Sequence, residues 1–134
     1  MNATDIFKKL KFDDSKKSLI INTPAEYEQL LAGVDYDKEY NPSHTATYDF
    51  VQIFAISQSE LENTVAQVFQ GGKFDCLFWI CYPKGGGKIK SDIKRETVWD
   101  AFKIANLRPV SQIAIDETWS ALRGRPLTLA VKKE

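Results

Sequence analysis

Hydrophobic positions along the chain fall into short continuous runs separated by stretches with helical spacing. Ser18-Leu19-Ile20-Ile21-Asn22, Tyr48 to Ile56 and Phe74 to Tyr82 are apolar runs bounded by polar or turn-forming residues, and each reads as a strand. In the second run Phe50, Phe54 and Ile56 share one face, while Val51, Ile53 and Ala55 share the other. In the third, Leu77, Trp79 and Cys81 oppose Cys76, Phe78, Ile80 and Tyr82. Strands that are apolar on both faces are covered on both faces, as in a buried parallel sheet. Ser111 to Asp116 predicts a fourth strand with Ile113 and Ile115 on one face. Trp119 to Arg123 and Leu127 to Val131 predict a terminal antiparallel pair around Gly124-Arg125-Pro126.

Helical spacing fills the intervals. Thr4 to Leu10 reads as a short amphipathic opening helix. Thr23-Pro24-Ala25-Glu26 has the form of a capping box with proline at the first helical position, and predicts a helix through Tyr27, Leu30 and Leu31 to about Gly33. Ser57-Gln58-Ser59-Glu60 is a second capping box, followed by Leu61, Val65, Val68 and Phe69 until Gly71-Gly72 stops the helix. A third helix is predicted from about Asp92, with Val98, Trp99, Phe102 and Ala105 facing inward and Arg108-Pro109 ending it. Asp35 to Thr47 is polar, contains Pro42 and predicts a surface loop. The order βαβαβαβ with a β tail predicts one α/β domain spanning residues 1–134. Its architecture is a three-layer α/β/α sandwich on a largely parallel sheet, with a C-terminal antiparallel strand or hairpin.

Composition narrows the function classes. Eighteen Lys and Arg balance eighteen Asp and Glu, so no global field draws the chain to DNA, RNA or an anionic membrane. The run Cys76 to Tyr82 is too short to cross a bilayer, and Met1 to Phe12 lacks the apolar core of a secretory signal, so a cytoplasmic location is expected. Cys76 and Cys81 are five apart in one strand, point to opposite faces and read as reduced core thiols. His44 is the only histidine and sits in the polar loop, which rules out a histidine triad or a multi-histidine metal site within one chain. Asp13-Asp14, Asp35, Asp37 and Glu39 lack metal-ligand spacing and read as surface charge, and no GxSxG elbow occurs. No catalytic residue, metal ligand or cofactor is assigned on these grounds.

What chemistry remains concentrates at the carboxyl end of the parallel strands, where ligands of open α/β sheets bind. Asn22, Ser57, the segment Lys84 to Asp92, and Asp116 all fall there. Gly85, Gly86 and Gly87 free backbone amides, Lys84 and Lys88 add positive charge, and Ser91 and Asp92 open the following helix, so the loop suits a small anion. It is not a Walker A loop, because Lys88 precedes Ile89, and three consecutive glycines do not make GxGxxG. Asp116, Trp119 and Arg123 offer a hydroxyl acceptor, a stacking ring and a cation. Their structural reading puts Trp119 and Leu122 in the core, with Asp116 paired to Arg123 or capping a turn.

Cys81-Tyr82-Pro83-Lys84, Asp92, Trp99 and above all Val110-Ser111-Gln112-Ile113-Ala114-Ile115-Asp116-Glu117-Thr118-Trp119-Ser120-Ala121-Leu122-Arg123 resemble a bacterial family of small domains of unknown function. The likeness spans roughly Leu19 to Arg125, with looser matches at Asn22-Thr23-Pro24, Asp49 to Ala55 and the helix opened by Ser57. It implies a small cytoplasmic bacterial α/β protein and brings no activity with it. The layout is also similar to a truncated Rossmann-type methyltransferase, Gly72 to Pro83 resembling the stretch that enters a late central strand. Asn22-Thr23-Pro24-Ala25 stands where those enzymes place their glycine-rich cofactor turn.

The expected function is a non-catalytic small-ligand-binding or regulatory domain that holds an anionic or nucleotide-like ligand at the carboxyl edge. One alternative is a protein-protein interaction module or a self-associating homodimer joined through an exposed terminal strand. The other is a degenerate methyltransferase-like enzyme, with Asp116 or Asp92 as its base.

Overall fold

The computed structural model describes residues 3–43, 45–85 and 87–128. The chain forms α1 (Ala3–Leu10), β1 (Ser18–Ile21), α2 (Ala25–Leu30), β2 (Tyr48–Phe54), α3 (Gln58–Val68), β3 (Gly72–Pro83), α4 (Arg95–Ile104), β4 (Leu107–Ala114) and β5 (Trp119–Pro126). A 3-10 turn, Phe69–Gly71, joins α3 to β3. The strands lie in the order β1-β2-β3-β5-β4. The first three are mutually parallel, and β5 runs antiparallel to both β3 and β4. The short turn 115–118 makes β4 and β5 a hairpin, so β4 points the same way as the first three strands.

The expected sandwich is present. Leu61, Val65 and Val68 of α3 and Val98, Ala101 and Phe102 of α4 pack on Val51, Ile53, Phe78, Ile80 and Leu122. On the opposite face Ile6 and Leu10 of α1, with Tyr27 of α2 and the adjoining Leu31, cover Phe50, Phe54, Trp79, Cys81, Trp119 and Ala121. Interior strand β2 is buried along almost its whole length and carries one fully buried polar side chain, Gln52. Its carbonyl accepts the Tyr27 hydroxyl at 3.1 Å, and its amide nitrogen donates to Cys81 Sγ at 3.4 Å. Trp79 Nε1 donates to the Leu10 carbonyl at 3.1 Å, tying the end of α1 to the middle of the sheet.

Several local expectations are corrected. Gly124-Arg125-Pro126 is not a turn, because β5 runs straight through it. A Cβ on Gly124 would meet Phe102 Cε1 at 2.6 Å and Leu107 Cβ at 3.2 Å, so this glycine admits the α4 ring rather than reversing the chain. Leu127 and Thr128 leave the strand in a helical turn, and the rest of the expected second partner, through Val131, lies outside the described residues. Helix α4 starts at Arg95 rather than Asp92 and ends at Ile104, and the chain reverses through Asn106 at φ 58°. Arg108-Pro109 therefore lies inside edge strand β4, where a missing N–H is tolerated.

Trp99, expected to face inward, is 49% exposed because the buried stripe of α4 is Val98, Ala101 and Phe102. Helix α2 ends at Leu30 rather than near Gly33, and the box at Thr23 does not form. Pro24 occupies the N-cap without a side-chain hydrogen bond, which leaves Thr23 one residue too early. The polar stretch 35–47 is mostly loop, but Asp37 pairs with β1 as a parallel bridge. The Ile20 N–H donates to the Asp37 carbonyl at 3.0 Å, and the Asp37 N–H donates to the Ser18 carbonyl at 2.9 Å. His44 lies outside the described residues.

Strand β3 is interrupted near its start. Tyr48 pairs with Gly72, yet Phe50 pairs with Leu77, so β3 bulges between them, with Asp75 at φ 59°. Arg125 closes a two-pronged bond on that aspartate, Nε at 2.9 Å and Nη2 at 2.7 Å.

The close approach at Gly124 gives a stability prediction. Gly124→Ala should lower unfolding free energy by roughly 1–3 kcal/mol in urea denaturation, because Phe102 must leave its position. A neutral or stabilising result would show that the α4 ring moves freely.

Candidate functional site

At the carboxyl edge the polar residues are drawn into two knots. In the first, Ser57 caps α3, its Oγ accepting the Glu60 N–H at 3.2 Å, while Glu60 Oε1 accepts the Ile56 N–H at 3.2 Å. The Ser91 hydroxyl donates to the Ile56 carbonyl and accepts the Ile93 N–H at 3.0 Å. Asp92 Oδ1 accepts the Gln58 N–H at 2.7 Å. The connection from β3 to α4 is thereby stitched to the amino terminus of α3.

In the second knot the Lys84 N–H donates to the Thr118 carbonyl at 2.8 Å, and Asp116 Oδ1 accepts the N–H groups of Thr118 and Trp119, each at 2.8 Å. Asp116 therefore shapes the β4–β5 turn. Trp119 is 5% exposed and meets Phe54 edge-on at 5.2 Å, a core position. Gly85, Gly87 and Lys88 are exposed, and Gly86 lies outside the described residues. Arg123 is elsewhere. It pairs with Trp79 in mid-sheet, four residues along β5 from Trp119 and about 13 Å from that edge.

A cleft of about 480 Å³ opens over the carboxyl end of β1, lined by Ile21, Asn22, Lys38, Glu39, Tyr40, Pro42, Thr64, Gln67 and Val68. Three local devices build it. Asn22 leaves β1 in the left-handed conformation, φ 63°, and turns the chain sharply away from the strand end. The Asp37 bridge carries Lys38-Glu39-Tyr40 past β1. The Tyr40 ring then packs over Gly71, where a Cβ would meet it at 2.6 Å. The Tyr48 hydroxyl donates to the Asp37 carboxylate, and burial together with that carboxylate raises the phenol above its ordinary range. Lys38 pairs with Glu28 at 3.7 Å, whereas the Glu39 side chain has no hydrogen-bond or ion-pair partner among the described residues.

Of the cleft residues, only Asn22 is a candidate from the sequence. Glu39 reads there as surface charge, and its placement depends on a bridge that no local pattern announces.

The two thiols do not form a reactive site. Burial pushes Cys81 up to about 12, and burial followed by the Asp75 and Asp49 carboxylates pushes Cys76 up to about 12. They lie on opposite faces of β3, in separate core clusters. Among the described residues no group of three or more His, Cys, Asp or Glu side chains could hold a metal ion. No helix among them is long and apolar enough to cross a membrane.

No family model matches the chain, and no curated protein does. The resemblance of Val110 to Arg123 to a family of unknown function therefore rests on those residues alone. Solved structures do match, at the level of fold. A SAM-dependent methyltransferase from Aquifex aeolicus is similar with a TM-score of 0.61 and 11% identity, covering 91% of this chain and 88% of that one. The 1,6-didemethyltoxoflavin-N1-methyltransferase of Burkholderia thailandensis, solved with S-adenosylhomocysteine bound, gives 0.56 at 10% identity over 92% and 76% of the two chains. The cyclase SpnF gives 0.58 at 9% identity over 92% and 80%. The architecture is thus the Rossmann-like fold of the methyltransferases, and at these identities the likeness concerns the fold alone.

The knots and the thiols predict measurable behaviour. Asp92→Ala should cost about 1 kcal/mol of stability through loss of the acceptor for the Gln58 N–H at the start of α3, and Asp92→Asn should recover most of it in the same denaturation assay. Fully buried Cys81 should resist a thiol reagent at about pH 8 in the native protein, half-buried Cys76 with its raised pKa should react slowly, and both should react fully once it is unfolded. Rapid labelling of the folded chain would contradict the burial described.

Proposed function

We propose that this chain is a degenerate methyltransferase-like protein that binds the nucleoside part of an adenosyl ligand in the cleft over β1, without gripping the ligand's amino-acid end. The observation that carries the reading is Glu39, an unengaged carboxylate held at the cleft by the Asp37 bridge. A carboxylate beside the end of an α/β strand is suited to accept hydrogen bonds from ribose hydroxyls. Ile21, Tyr40, Pro42 and Val68 supply apolar wall for a purine, and Asn22, Thr64 and Gln67 supply donors and acceptors for its edge. The bound S-adenosylhomocysteine of the Burkholderia enzyme, which shares the fold, supports the choice of ligand class.

The amino-acid end of such a ligand fits this chain poorly. Pro24 offers no N–H, Thr23 and Ala25 keep side chains in the turn after β1, and Glu26 and Glu28 place negative charge on the first turn of α2. No methyl-transfer step is therefore assigned to the cleft. That a cyclase shares the fold supports treating ligand binding and reaction type as separate questions.

Self-association through the terminal strand has weaker support. Pro109 and the bulge between Pro109 and Ser111 interrupt edge strand β4, two features that hinder edge-to-edge pairing.

Calorimetric titration with adenosine and with S-adenosylhomocysteine tests the reading. Both should bind with affinities within a few-fold of each other, because the amino-acid end adds little. Glu39→Gln should weaken both by about tenfold, the loss expected for one charge-assisted hydrogen bond. Failure of both ligands to bind would refute the proposal. A hundredfold preference for S-adenosylhomocysteine would show instead that the amino-acid end is held.

A further inference from the structure

A second feature lies on the opposite half of the sheet and is independent of the cleft. Strands β4 and β5 pair so that Arg108 stands directly across from Arg125, and Ser111 directly across from Arg123. Directly opposed residues share a face, with Cβ atoms about 4.5–5.5 Å apart. Three arginines and a serine therefore occupy one patch of two neighbouring strands. The face is the one α1 and α2 cover further along, where Trp119 and Ala121 are fully enclosed. Towards Arg123 and Arg125 that cover thins to half-burial, and Arg108 and Ser111 are exposed.

The charges in the patch are unevenly answered. Asp75, held left-handed in the β3 bulge, takes both prongs of Arg125. Arg108 and Arg123 form no ion pair with any described residue, and Arg123 Nε is buried with no hydrogen-bond partner. Burial and then the neighbouring Arg125 lower the Arg123 pKa, and the Asp75 carboxylate, already engaged by Arg125, offsets them only in part. Like charges side by side on a sheet face oppose folding, and a buried unpaired donor does the same. The arrangement is one that an anion with several acceptor oxygens would relieve.

We propose that Arg108, Ser111 and Arg123 form a site for the phosphoryl group of a small phosphorylated ligand on the open β4–β5 face. Two guanidinium forks and a hydroxyl match the number and spread of acceptors on a phosphoryl group better than those on a carboxylate, which one fork satisfies. Asp75 sets the strength of the site by occupying Arg125 and by placing a negative charge at its border.

Calorimetric titration of the full chain with inorganic pyrophosphate tests this. Saturable binding is expected, at least tenfold weaker in Arg108→Ala and several-fold weaker in Ser111→Ala. Both substitutions are at exposed positions of an edge strand. Asp75→Asn should act in the opposite sense and tighten binding several-fold, since it frees the Arg125 fork, and asparagine tolerates the left-handed backbone. Lys84→Ala/Lys88→Ala should leave the affinity unchanged. The proposal is overturned if pyrophosphate does not bind. It is overturned equally if binding survives Arg108→Ala and is lost with the two lysines, which would place the anion on the glycine-lysine loop.

Discussion

Two neighbouring strands, β2 and β3, have apolar side chains on both faces, and most of the architecture answers that condition. A sheet with such a centre is stable only when a layer of helices lies on each side. Here α1 and α2 lie on one side, α3 and α4 on the other. The exception inside β2, Gln52, shows how strict the condition is. A buried amide has to be given partners, and these come from Tyr27 on a covering helix and Cys81 on the next strand. One polar side chain thus ties a helix and two strands together, which fixes how α2 sits on the sheet.

The parts of this fold written in apolar periodicity were legible in the sequence. The apolar faces of β2 and β3, the Ser57 cap and the α3 stripe of Leu61, Val65 and Val68 match the sequence reading, because each is set by nearest neighbours along the chain, except that Ile56 lies past the end of β2 and is exposed. The misread parts depend on partners far away in sequence. Gly124 looks like a turn until Phe102 is known to lie on it, and Pro109 looks like a helix stop until β4 is known to be an edge. Trp99 looks inward because its spacing fits a wide stripe, whereas the stripe actually used is narrower. Asp37 gives no local hint that it adds a bridge beside β1.

The same limit governs the candidate sites. A cluster of Ser, Asp, Lys and Gly after successive strands marks the carboxyl edge correctly. It does not show whether those groups face a ligand or one another. Ser57, Ser91, Asp92 and Asp116 spend hydrogen-bonding capacity on helix caps and turns, a common fate for short polar side chains at element ends. Arg123 and Glu39 differ in that no described side chain hydrogen-bonds to either, although Asp75 lies near enough to act on the Arg123 charge. Density of polar residues at element ends therefore does not by itself mark a surface suited to ligands.

The placement of β5 between β3 and β4 bears on how the protein is made. The last of the described strands occupies an interior position, so a nascent chain emerging from the ribosome can assemble the parallel β1-β2-β3 unit early. During that interval β4 has no neighbour, and β3 presents an unpaired flank lined with Phe78, Trp79 and Ile80. Closure waits for Trp119–Pro126, and until those residues are released the growing chain carries an open sheet edge of the kind that chaperones shield and that aggregation exploits.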